Sequence, residues 1–271
     1  MVEIDRTERT LDGLAALHRE ALVGRRGMAR LGARFPLLVK LIDAAERLSL
    51  QVHPDDALAR RLYGPKAVGK AEAWLVLEAK DDAELVTGPR RTFASDELLA
   101  AVASGELDRD GCEVSPAIPG DAWVLRAGTM HAIGAGTFVY EIEQPSDLTF
   151  RISDWGRPPV RGRSLHTVES GLALRPEAHA ELAGRRFVLD GGAIELPEFR
   201  LELVRDGSKV RRSPDGASLE VVTAAQGMVV VRGPGWAEML APFETVVVPA
   251  SVAHYEIEAG PGALACLGLL P

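Results

Sequence analysis

The chain has 271 residues, of which 46% are hydrophobic and 26% are charged, and its formal net charge at pH 7 is −8. This composition predicts a soluble globular protein with its own core, and the acidic balance argues against nucleic acid as the main partner, because phosphate backbones bind basic surfaces. The two cysteines, Cys112 and Cys266, do not form a Cys-x-x-Cys pair. They therefore argue against both a disulfide framework and a thiolate zinc site.

The sequence gives no sign of a membrane protein or of a secreted one. No stretch of about 18 apolar residues occurs, so no membrane span is predicted. The start, Met-Val-Glu-Ile-Asp-Arg, lacks the basic and apolar regions of a signal peptide. We therefore expect a cytoplasmic protein that acts on a small molecule. The sequence leaves its oligomeric state open.

The first part of the chain predicts short strands with a few helices between them. An amphipathic pattern predicts a helix over residues 9–26, and Pro54 with the acidic residues after it predicts a helix that runs to Leu62. Ser95 is the expected N-cap of a third helix, which ends at Val102. Apolar runs bounded by Gly and Pro predict strands at 35–43, 48–53, 73–78, 114–117, 122–125, 138–142 and 148–152. Short strands at this spacing are typical of a barrel or a sandwich.

Beyond residue 170 a second series of short strands begins. The candidates lie at 200–204, 219–223, 228–231, 245–248 and 263–267. One segment of this series, 244–254, aligns without gaps to residues 121–131 of the first series. Both segments contain an acidic residue, a strand, a turn and then a histidine, which is His131 in the first and His254 in the second. This weak internal repeat predicts two related β-barrels.

The most informative pattern consists of Gln51, His53, Glu72 and His131. Gln51 and His53 are two residues apart in an apolar run, so on a strand their side chains lie on one face. Glu72 begins another apolar run, and His131 follows a turn at Gly128. Oxygen and nitrogen ligands that converge from three strands can hold one divalent metal and leave a position open to a sugar or water. Taken alone, His53 is more often a structural histidine, and Gln is an uncommon zinc ligand, so the hypothesis depends on the whole set.

The motifs around these residues resemble those of a known family. The segments Ser49-x-Gln-x-His-Pro-Asp55 and Gly69-Lys-x-Glu-x-Trp74, with the Gly-x-x-His turn that ends at His131, are similar to the motifs of cupin barrels. More specifically, they resemble the short bacterial form of class I mannose-6-phosphate isomerase over roughly residues 30–170. The resemblance implies a mainly β fold of two cupin-like barrels of the jelly-roll type. The catalytic barrel with helical segments is expected over residues 1–175, and a metal-free barrel over residues 176–271.

The resemblance also implies an activity, a cofactor and a set of site residues. The activity is the interconversion of mannose 6-phosphate and fructose 6-phosphate, with one zinc ion per chain. The residues that match the family's zinc ligands are Gln51, His53, Glu72 and His131. Those that match its substrate phosphate contacts are Ser49, Arg151 and Arg157, and those that match polar residues of the same pocket are Lys40, Lys70 and Glu141.

The chemistry of this isomerisation assigns expected roles to these residues. A base must move a proton between two carbons, an electrophile must stabilise the enediolate oxygen, and a clamp must hold the phosphate. Arg151 and Arg157 can hold a phosphate through several hydrogen bonds. Glu141 suits the base if its pocket raises its pKa, whereas Lys70 can stabilise or carry charge. The sequence does not decide between Glu141 and Lys70 as the proton carrier, and the expected catalytic residues are Arg151, Lys70 and Glu141.

The remaining candidate residue, Lys40, lies in an apolar run, where an unpaired ammonium is costly to bury. It is therefore expected either at a strand end in solvent or, as we predict, facing the polar pocket, where it would contact the substrate together with Ser49 and Arg157.

Two other interpretations stay open at this stage. The chain begins near its first helix, without the N-terminal strands of the family, so a cupin that binds a sugar or a sugar phosphate without turnover is the main alternative. A metal-dependent oxygenase on the same barrel is the other. Iron sites of that kind usually present two histidines and one carboxylate, or only histidines, and the Gln and Glu pattern differs from both. His254 lacks a Gln-x-His motif and a matching Glu upstream, so it is expected to be structural.

Overall fold

The computed structural model describes residues 9–93, 95–104, 107, 109–158, 163–175, 177–184, 187 and 192–271. Over these residues the fold is mainly β, as predicted, with nineteen strands and five α-helices. None of the helices in the described part of the chain is long and apolar enough to cross a membrane.

The chain divides into two compact units. The central unit is Leu38–Ile194, and the terminal unit combines the residues up to Leu37 with Glu195–Pro271. The first helices thus group with the C-terminal strands, whereas the sequence suggested 1–175 and 176–271. Those domain boundaries, and the closure of the sheets into two barrels, stay predictions.

Two helices open the chain and belong to the terminal unit, α1 (Leu11–His18) and α2 (Glu20–Leu31). The predicted single helix over residues 9–26 is broken because Arg19 and Gly24 have positive φ angles of 48° and 77°. Gly24 is required there, since a Cβ atom at this position would lie 2.5 Å from the carbonyl oxygen of Ala217. The break therefore lets α2 approach the loop that carries Ala217.

The central unit follows in chain order. Its strands and helices are β1 (Leu38–Ala44), β2 (Leu50–Val52), α3 (Asp56–Tyr63), β3 (Glu72–Ala79), β4 (Glu84–Pro89), α4 (Ser95–Ser104), β5 (Cys112–Pro116), β6 (Ala122–Leu125), β7 (Ala132–Ile133), β8 (Thr137–Glu143), β9 (Phe150–Ser153), α5 (Thr167–Ala173) and β10 (Glu181–Gly184). They form a five-stranded sheet of order β1-β8-β3-β6-β10, a three-stranded sheet of order β5-β4-β7, and the pair β2-β9. All of these strand pairs are antiparallel.

The register of β1, β8 and β3 places charged side chains of neighbouring strands beside one another. Lys40 of β1 pairs with Glu141 of β8, and Glu141 pairs in turn with Trp74 of β3. Two residues along, Glu143 of β8 pairs with Glu72 of β3. Because side chains two residues apart share a face and cross-strand partners lie side by side, these groups all lie on one face of the sheet.

The terminal unit continues with a second set of strands. These are β11 (Ala193–Glu195), β12 (Arg200–Arg205), β13 (Lys209–Arg212), β14 (Glu220–Gln226), β15 (Val229–Gly233), β16 (Trp236–Leu240), β17 (Thr245–Val248), β18 (Tyr255–Ala259) and β19 (Leu264–Leu269). They form two antiparallel sheets of order β11-β12-β19-β14-β17 and β13-β18-β15-β16. Buried side chains such as Val222, Val231, Ile257 and Leu267 form its core, which is the main source of its stability.

Candidate metal centre

The four predicted ligands come together in the central unit through strand contacts. Gln51 lies in β2 and His53 directly after it, whereas Glu72 is the first residue of β3. The backbones of Gln51 and His131 exchange two hydrogen bonds, of 3.0 and 2.9 Å. The amide of Gly128, which has a φ of 91°, donates to the carbonyl of His53 at 2.9 Å. The turn before β7 is thereby held against β2, and His131 faces the ligands of β2.

The side chains of the four residues approach within a few ångströms of one another. His53 Nε2 lies 2.9 Å from Glu72 Oε1, and His131 Nε2 lies 3.4 Å from Glu72 Oε2. The amide nitrogen of Gln51 lies 3.2 Å from His131 Nε2. His53, Glu72 and His131 are all at most 2% exposed, so the group is closed off from bulk water.

Backbone carbonyls fix the orientation of both imidazoles. His53 Nδ1 lies 3.0 Å from the carbonyl oxygen of Leu148, and His131 Nδ1 lies 2.9 Å from that of Thr129. A carbonyl only accepts, so each Nδ1 donates its N–H and each Nε2 turns its lone pair toward Glu72. Burial lowers the pKa of His53 to about 4 and also lowers that of His131, so both rings are neutral at neutral pH.

The donor set fits a divalent metal. His53 Nε2 and both carboxylate oxygens of Glu72 are buried and make no well-aligned hydrogen bond among the described residues, although Lys70 Nζ forms an ion pair with Glu72 Oε1 at 2.9 Å. A buried polar atom left in this state costs about 1–3 kcal/mol, and a metal ion would remove that cost. Two imidazole nitrogens and a carboxylate are ordinary zinc ligands. Gln51 can add its carbonyl oxygen if its amide turns, since the amide nitrogen is the atom near His131 here.

Five charged side chains form a cluster beside the metal ligands, and we call Lys40, Lys70, Glu72, Glu141 and Glu143 the charged cluster. Lys70 Nζ lies 2.9 Å from Glu72 Oε1 and 3.0 Å from Glu143 Oε2. Lys40 Nζ lies 2.8 Å from Glu141 Oε2 and 2.5 Å from Glu143 Oε1. The side chain of Lys40 is 36% exposed, whereas the other four members are buried. Its predicted contact with a substrate stays a prediction.

The charges of the cluster shift the pKa values of its members. Burial lowers the pKa of Lys70, but Glu72 and Glu143 outweigh it and raise the value overall. Burial also lowers the pKa of Lys40, but the carboxylate of Glu141 outweighs burial and raises the value overall. Burial opposes the ionisation of Glu72, but the ammonium group of Lys70 favours it, and the pKa of Glu72 lies well below the usual range. Burial, with Glu141 and Glu72, raises the pKa of Glu143, and Lys70 opposes this rise.

Glycine at position 69 allows Lys70 to enter the site. A Cβ atom at Gly69 would lie 2.5 Å from the carbonyl carbon of Asp55, which is closer than side chains approach. The amide of Lys70 donates to the carbonyl of Pro54 at 2.9 Å, and Asp55 caps the N-terminus of α3. The close approach of these two segments therefore fixes the backbone from which Lys70 reaches Glu72.

Arg151 lies beside the metal ligands, on β9. It pairs across the strands with Gln51, so the two side chains lie on the same face of the β2-β9 pair. Its Nη1 donates to the carbonyl of Ser164 at 2.9 Å, and its buried Nε has no partner among the described residues. Ser49, which precedes β2, is also buried. The structure thus brings Arg151 close to the predicted metal set.

Arg157 lies elsewhere. Its guanidinium donates to the carbonyl of Arg47 at 2.9 Å and to the carboxylate of Asp154 at 2.5 Å. It lines a cavity of about 630 Å³ whose other charged residues include Arg47 and Lys80, and none of the four predicted metal ligands lines that cavity. The described contacts of Arg157 do not join it to the metal ligands, and its predicted place at the substrate phosphate stays a prediction.

Glu143 is the member of the charged cluster that the sequence analysis did not single out. The signal for it was present, since Glu141 and Glu143 are two residues apart on one strand and therefore share a face. The same reasoning had grouped Gln51 with His53.

Comparison with known proteins relates the sequence to one family. Residues 2–67 match a family model described as the catalytic domain of type I phosphomannose isomerase. The chain is 38% identical over 162 residues to a mannose-6-phosphate isomerase of Streptococcus mutans, which covers 59% of this chain and 48% of that protein. It is 39% identical over 154 residues to the mannose-6-phosphate isomerase ManA of Bacillus subtilis, covering 55% of this chain and 48% of that protein. The chain thus spans about half the length of the curated relatives it matches.

The fold is shared with solved structures. A crystal structure of the mannose 6-phosphate isomerase from Bacillus subtilis superposes with a TM-score of 0.80 at 24% identity, over 98% of this chain and 83% of that one. This likeness confirms the predicted fold class, a mainly β fold of the cupin type. The sequence matches confirm the predicted resemblance of the chain to the type I mannose-6-phosphate isomerases.

Proposed function

We propose that the chain is a zinc-dependent aldose–ketose isomerase that interconverts mannose 6-phosphate and fructose 6-phosphate through an enediol. The observation that carries the proposal is the buried group of His53, Glu72 and His131, whose ligand atoms lie within 4.8 Å of one another. Its position next to paired lysines and glutamates supports an isomerase, because that reaction needs both a proton carrier and an electrophile. The names of the relatives support the choice of substrate.

In this proposal Gln51, His53, Glu72 and His131 hold the zinc ion. When bound, zinc polarises or orients sugar oxygens without redox chemistry. The protein's contribution is to keep the four donors in fixed positions, through the strand contacts of Gln51 with His131 and the carbonyls that hold the two imidazoles.

The substrate phosphate is placed at Arg151, with Ser49 and Arg157 as further contacts and Lys40 at the solvent side of the pocket. Arg151 has a free buried Nε donor, and it shares a face with the ligand Gln51. A guanidinium at this place positions the reacting end of the sugar beside the metal ligands. For Arg157, a phosphate would have to replace its contact with Asp154.

For the proton transfer we assign Glu141 as the base and Lys70 as the electrophile. Lys70 Nζ lies between the carboxylates of Glu72 and Glu143, so it is an ammonium that offers N–H donors rather than a lone pair. An ammonium can donate to the enediolate oxygen as negative charge develops there. Glu141 accepts from Trp74 Nε1 at 2.8 Å, and this bond holds its carboxylate in one orientation. It can take the proton from one carbon and return it to the other.

An isomerase assay combined with metal analysis tests the proposal. We expect about one zinc per chain, conversion of mannose 6-phosphate to fructose 6-phosphate, and loss of both on chelation. Binding of mannose 6-phosphate without turnover, by protein that holds zinc, would instead favour the sugar-binding cupin. Metal analysis that finds no bound metal in active protein would contradict the zinc site.

A further inference from the structure

Glu143 contacts both lysines of the charged cluster. Its Oε1 lies 2.5 Å from Lys40 Nζ, and its Oε2 lies 3.0 Å from Lys70 Nζ. By contrast, Glu141 contacts Lys40 at 2.8 Å and Glu72 contacts Lys70 at 2.9 Å. Glu143 is therefore the carboxylate that joins the two halves of the cluster.

The two carboxylate oxygens of Glu143 contact different lysines. Each one lies at ion-pair distance from a different ammonium group, so this single side chain contacts both lysines. The residue is 0% exposed, and β3 and β1 lie on either side of it in the sheet. Lys40, by contrast, is 36% exposed, so Glu143 joins a partly exposed lysine to a buried one.

We propose that Glu143 is a positioning residue that holds Lys40 and Lys70 at fixed places and acts on the reaction through them. The effect on catalysis rests on the proposed isomerase function, whereas the holding of the lysines does not. Lysine side chains are long and flexible, and fixing one costs rotamer freedom. A carboxylate with one oxygen for each ammonium reduces this cost for both side chains at once.

The contact between Glu143 and Lys70 becomes more important when Glu72 binds a metal ion. Glu72 Oε1 lies 2.9 Å from both Lys70 Nζ and His53 Nε2, so a cation held by Glu72 would compete with Lys70 for this carboxylate. Glu143, 3.0 Å from Lys70 Nζ, would then be the other carboxylate in contact with Lys70. It keeps the ammonium in the site despite the repulsion between two neighbouring positive groups.

Glu143→Gln tests the proposal with Glu78→Gln as the matched control, because Glu78 is exposed on β3. Gln keeps the size of Glu, but it replaces one acceptor oxygen with an NH₂ donor that cannot pair with an ammonium. The first readout is the rate at which an amine-reactive reagent labels Lys40 in zinc-loaded protein at mildly alkaline pH, measured by peptide mass spectrometry. Loss of an ion pair lowers a lysine pKa by about one unit, so labelling should become about tenfold faster. In Glu78→Gln it should equal the rate in the parent.

The second readout is kinetic. With zinc content unchanged, Glu143→Gln should lower kcat for mannose 6-phosphate by about tenfold or more, while KM changes by less than about threefold. Glu143→Asp keeps both oxygens on a shorter side chain, and it should regain part of the lost kcat. A residue that only stabilised the fold would not produce this split between kcat and KM.

The outcomes separate the two proposals. Unchanged labelling of Lys40 in folded Glu143→Gln protein overturns the positioning role. If that variant does not fold, Glu143→Asp decides, because its shorter carboxylate cannot reach both lysines. Faster labelling of at least one of them supports the role, and parent-like labelling of both overturns it. A parent protein without isomerase activity whose Lys40 still responds to Glu143→Gln would contradict the proposed function and leave the holding of the lysines standing. Unchanged kcat in an active protein would remove the catalytic part.

Discussion

The central and terminal units both contain a segment with an acidic residue, a strand, a turn and a histidine, at residues 121–131 and 244–254. The groups around the histidine differ between the two units. In the central unit, Asp121 precedes β6, and the turn after this strand leads to the buried His131. In the terminal unit, Glu244 precedes β17, and the turn after it leads to the exposed His254. The pattern itself therefore predicts a strand, a turn and a histidine, but it does not predict which groups surround that histidine.

The difference comes from the strands that face the histidine. His131 meets Gln51 and Glu72, which arrive from other strands and place side-chain atoms 3.2 and 3.4 Å from its Nε2. In the terminal unit the polar groups satisfy one another. Arg212 donates to Glu220 at 2.8 Å and to Glu202 at 3.0 Å, and the hydroxyl of Tyr255 donates to Glu220. A closed network of this kind offers no free donor atoms to a metal, whereas the central unit does.

The largest effect is expected from a substitution that disrupts the proposed metal site of the central unit. His131→Ala removes one of the proposed ligands, and the remaining donors hold zinc in incomplete geometry. We expect zinc affinity to fall by more than about a hundredfold and isomerase activity to fall with it. Metal titration by calorimetry and the isomerase assay measure the two effects. Zinc binding equal to that of the parent would show that His131 is not a ligand.

The next largest effect is a loss of stability, expected when the ion-pair network around Arg212 in the terminal unit is disrupted. Arg212→Met keeps the apolar stem of the side chain but leaves Glu220, which is 5% exposed, without its main counter-charge. Removing one partner of a buried ion pair typically costs about 3–5 kcal/mol, and the partial exposure of Arg212 should place the loss near the lower end. Chemical denaturation measures it. Glu238→Gln, at an exposed position on β16, is the control and should leave stability unchanged. A loss below about 0.5 kcal/mol would mean that the network contributes little to the fold.

A smaller effect tests the phosphate contact. Arg151→Ala should lower kcat/KM for mannose 6-phosphate by about ten- to a hundredfold, because a charge-assisted bond to phosphate contributes about 1.5–3 kcal/mol. Free mannose, which lacks the phosphate, should be affected far less. Arg163→Ala is the control, since Arg163 is a nearby exposed arginine that pairs with Asp154. Equal losses on both sugars would show that Arg151 does not touch the phosphate.

The sequence predicts elements well where one local rule governs them. The apolar runs of β3 and β8 were predicted because they lie inside a sheet, where nearly every position is buried. The charged strand β13 and the strand β18, in which Glu alternates with apolar residues, were missed. Their pairing partner along the sheet decides that they are strands, and this partner is distant in sequence.

The residues of the candidate site also differ in how well the sequence predicts them. Gln51, His53, Glu72 and His131 were predicted because their motifs are local and specific, and the structure brings them together. Arg157 was grouped with Arg151 because both match phosphate contacts of the resembled family; a turn after β9 directs Arg157 to Asp154 and the carbonyl of Arg47, and its place at the phosphate stays a prediction. Glu143 shares a face with Glu141, but its contacts with Lys40 and Lys70 depend on residues distant in sequence, which the pairing of β1 with β8 and the segment before β3 bring to it.

The smallest expected effect belongs to His254. It lines a cavity of about 610 Å³ whose other charged residues are three arginines and one glutamate, and this balance repels a divalent cation. A single exposed imidazole cannot hold zinc against water without two or three further ligands in fixed geometry. His254→Ala should therefore leave zinc content and isomerase activity within experimental error of the parent, and an exposed substitution should change stability by less than about 0.5 kcal/mol. Metal analysis of this variant beside His131→Ala gives the sharpest form of the comparison. A second zinc equivalent in the parent that is lost in His254→Ala would show that the terminal unit also contains a metal site.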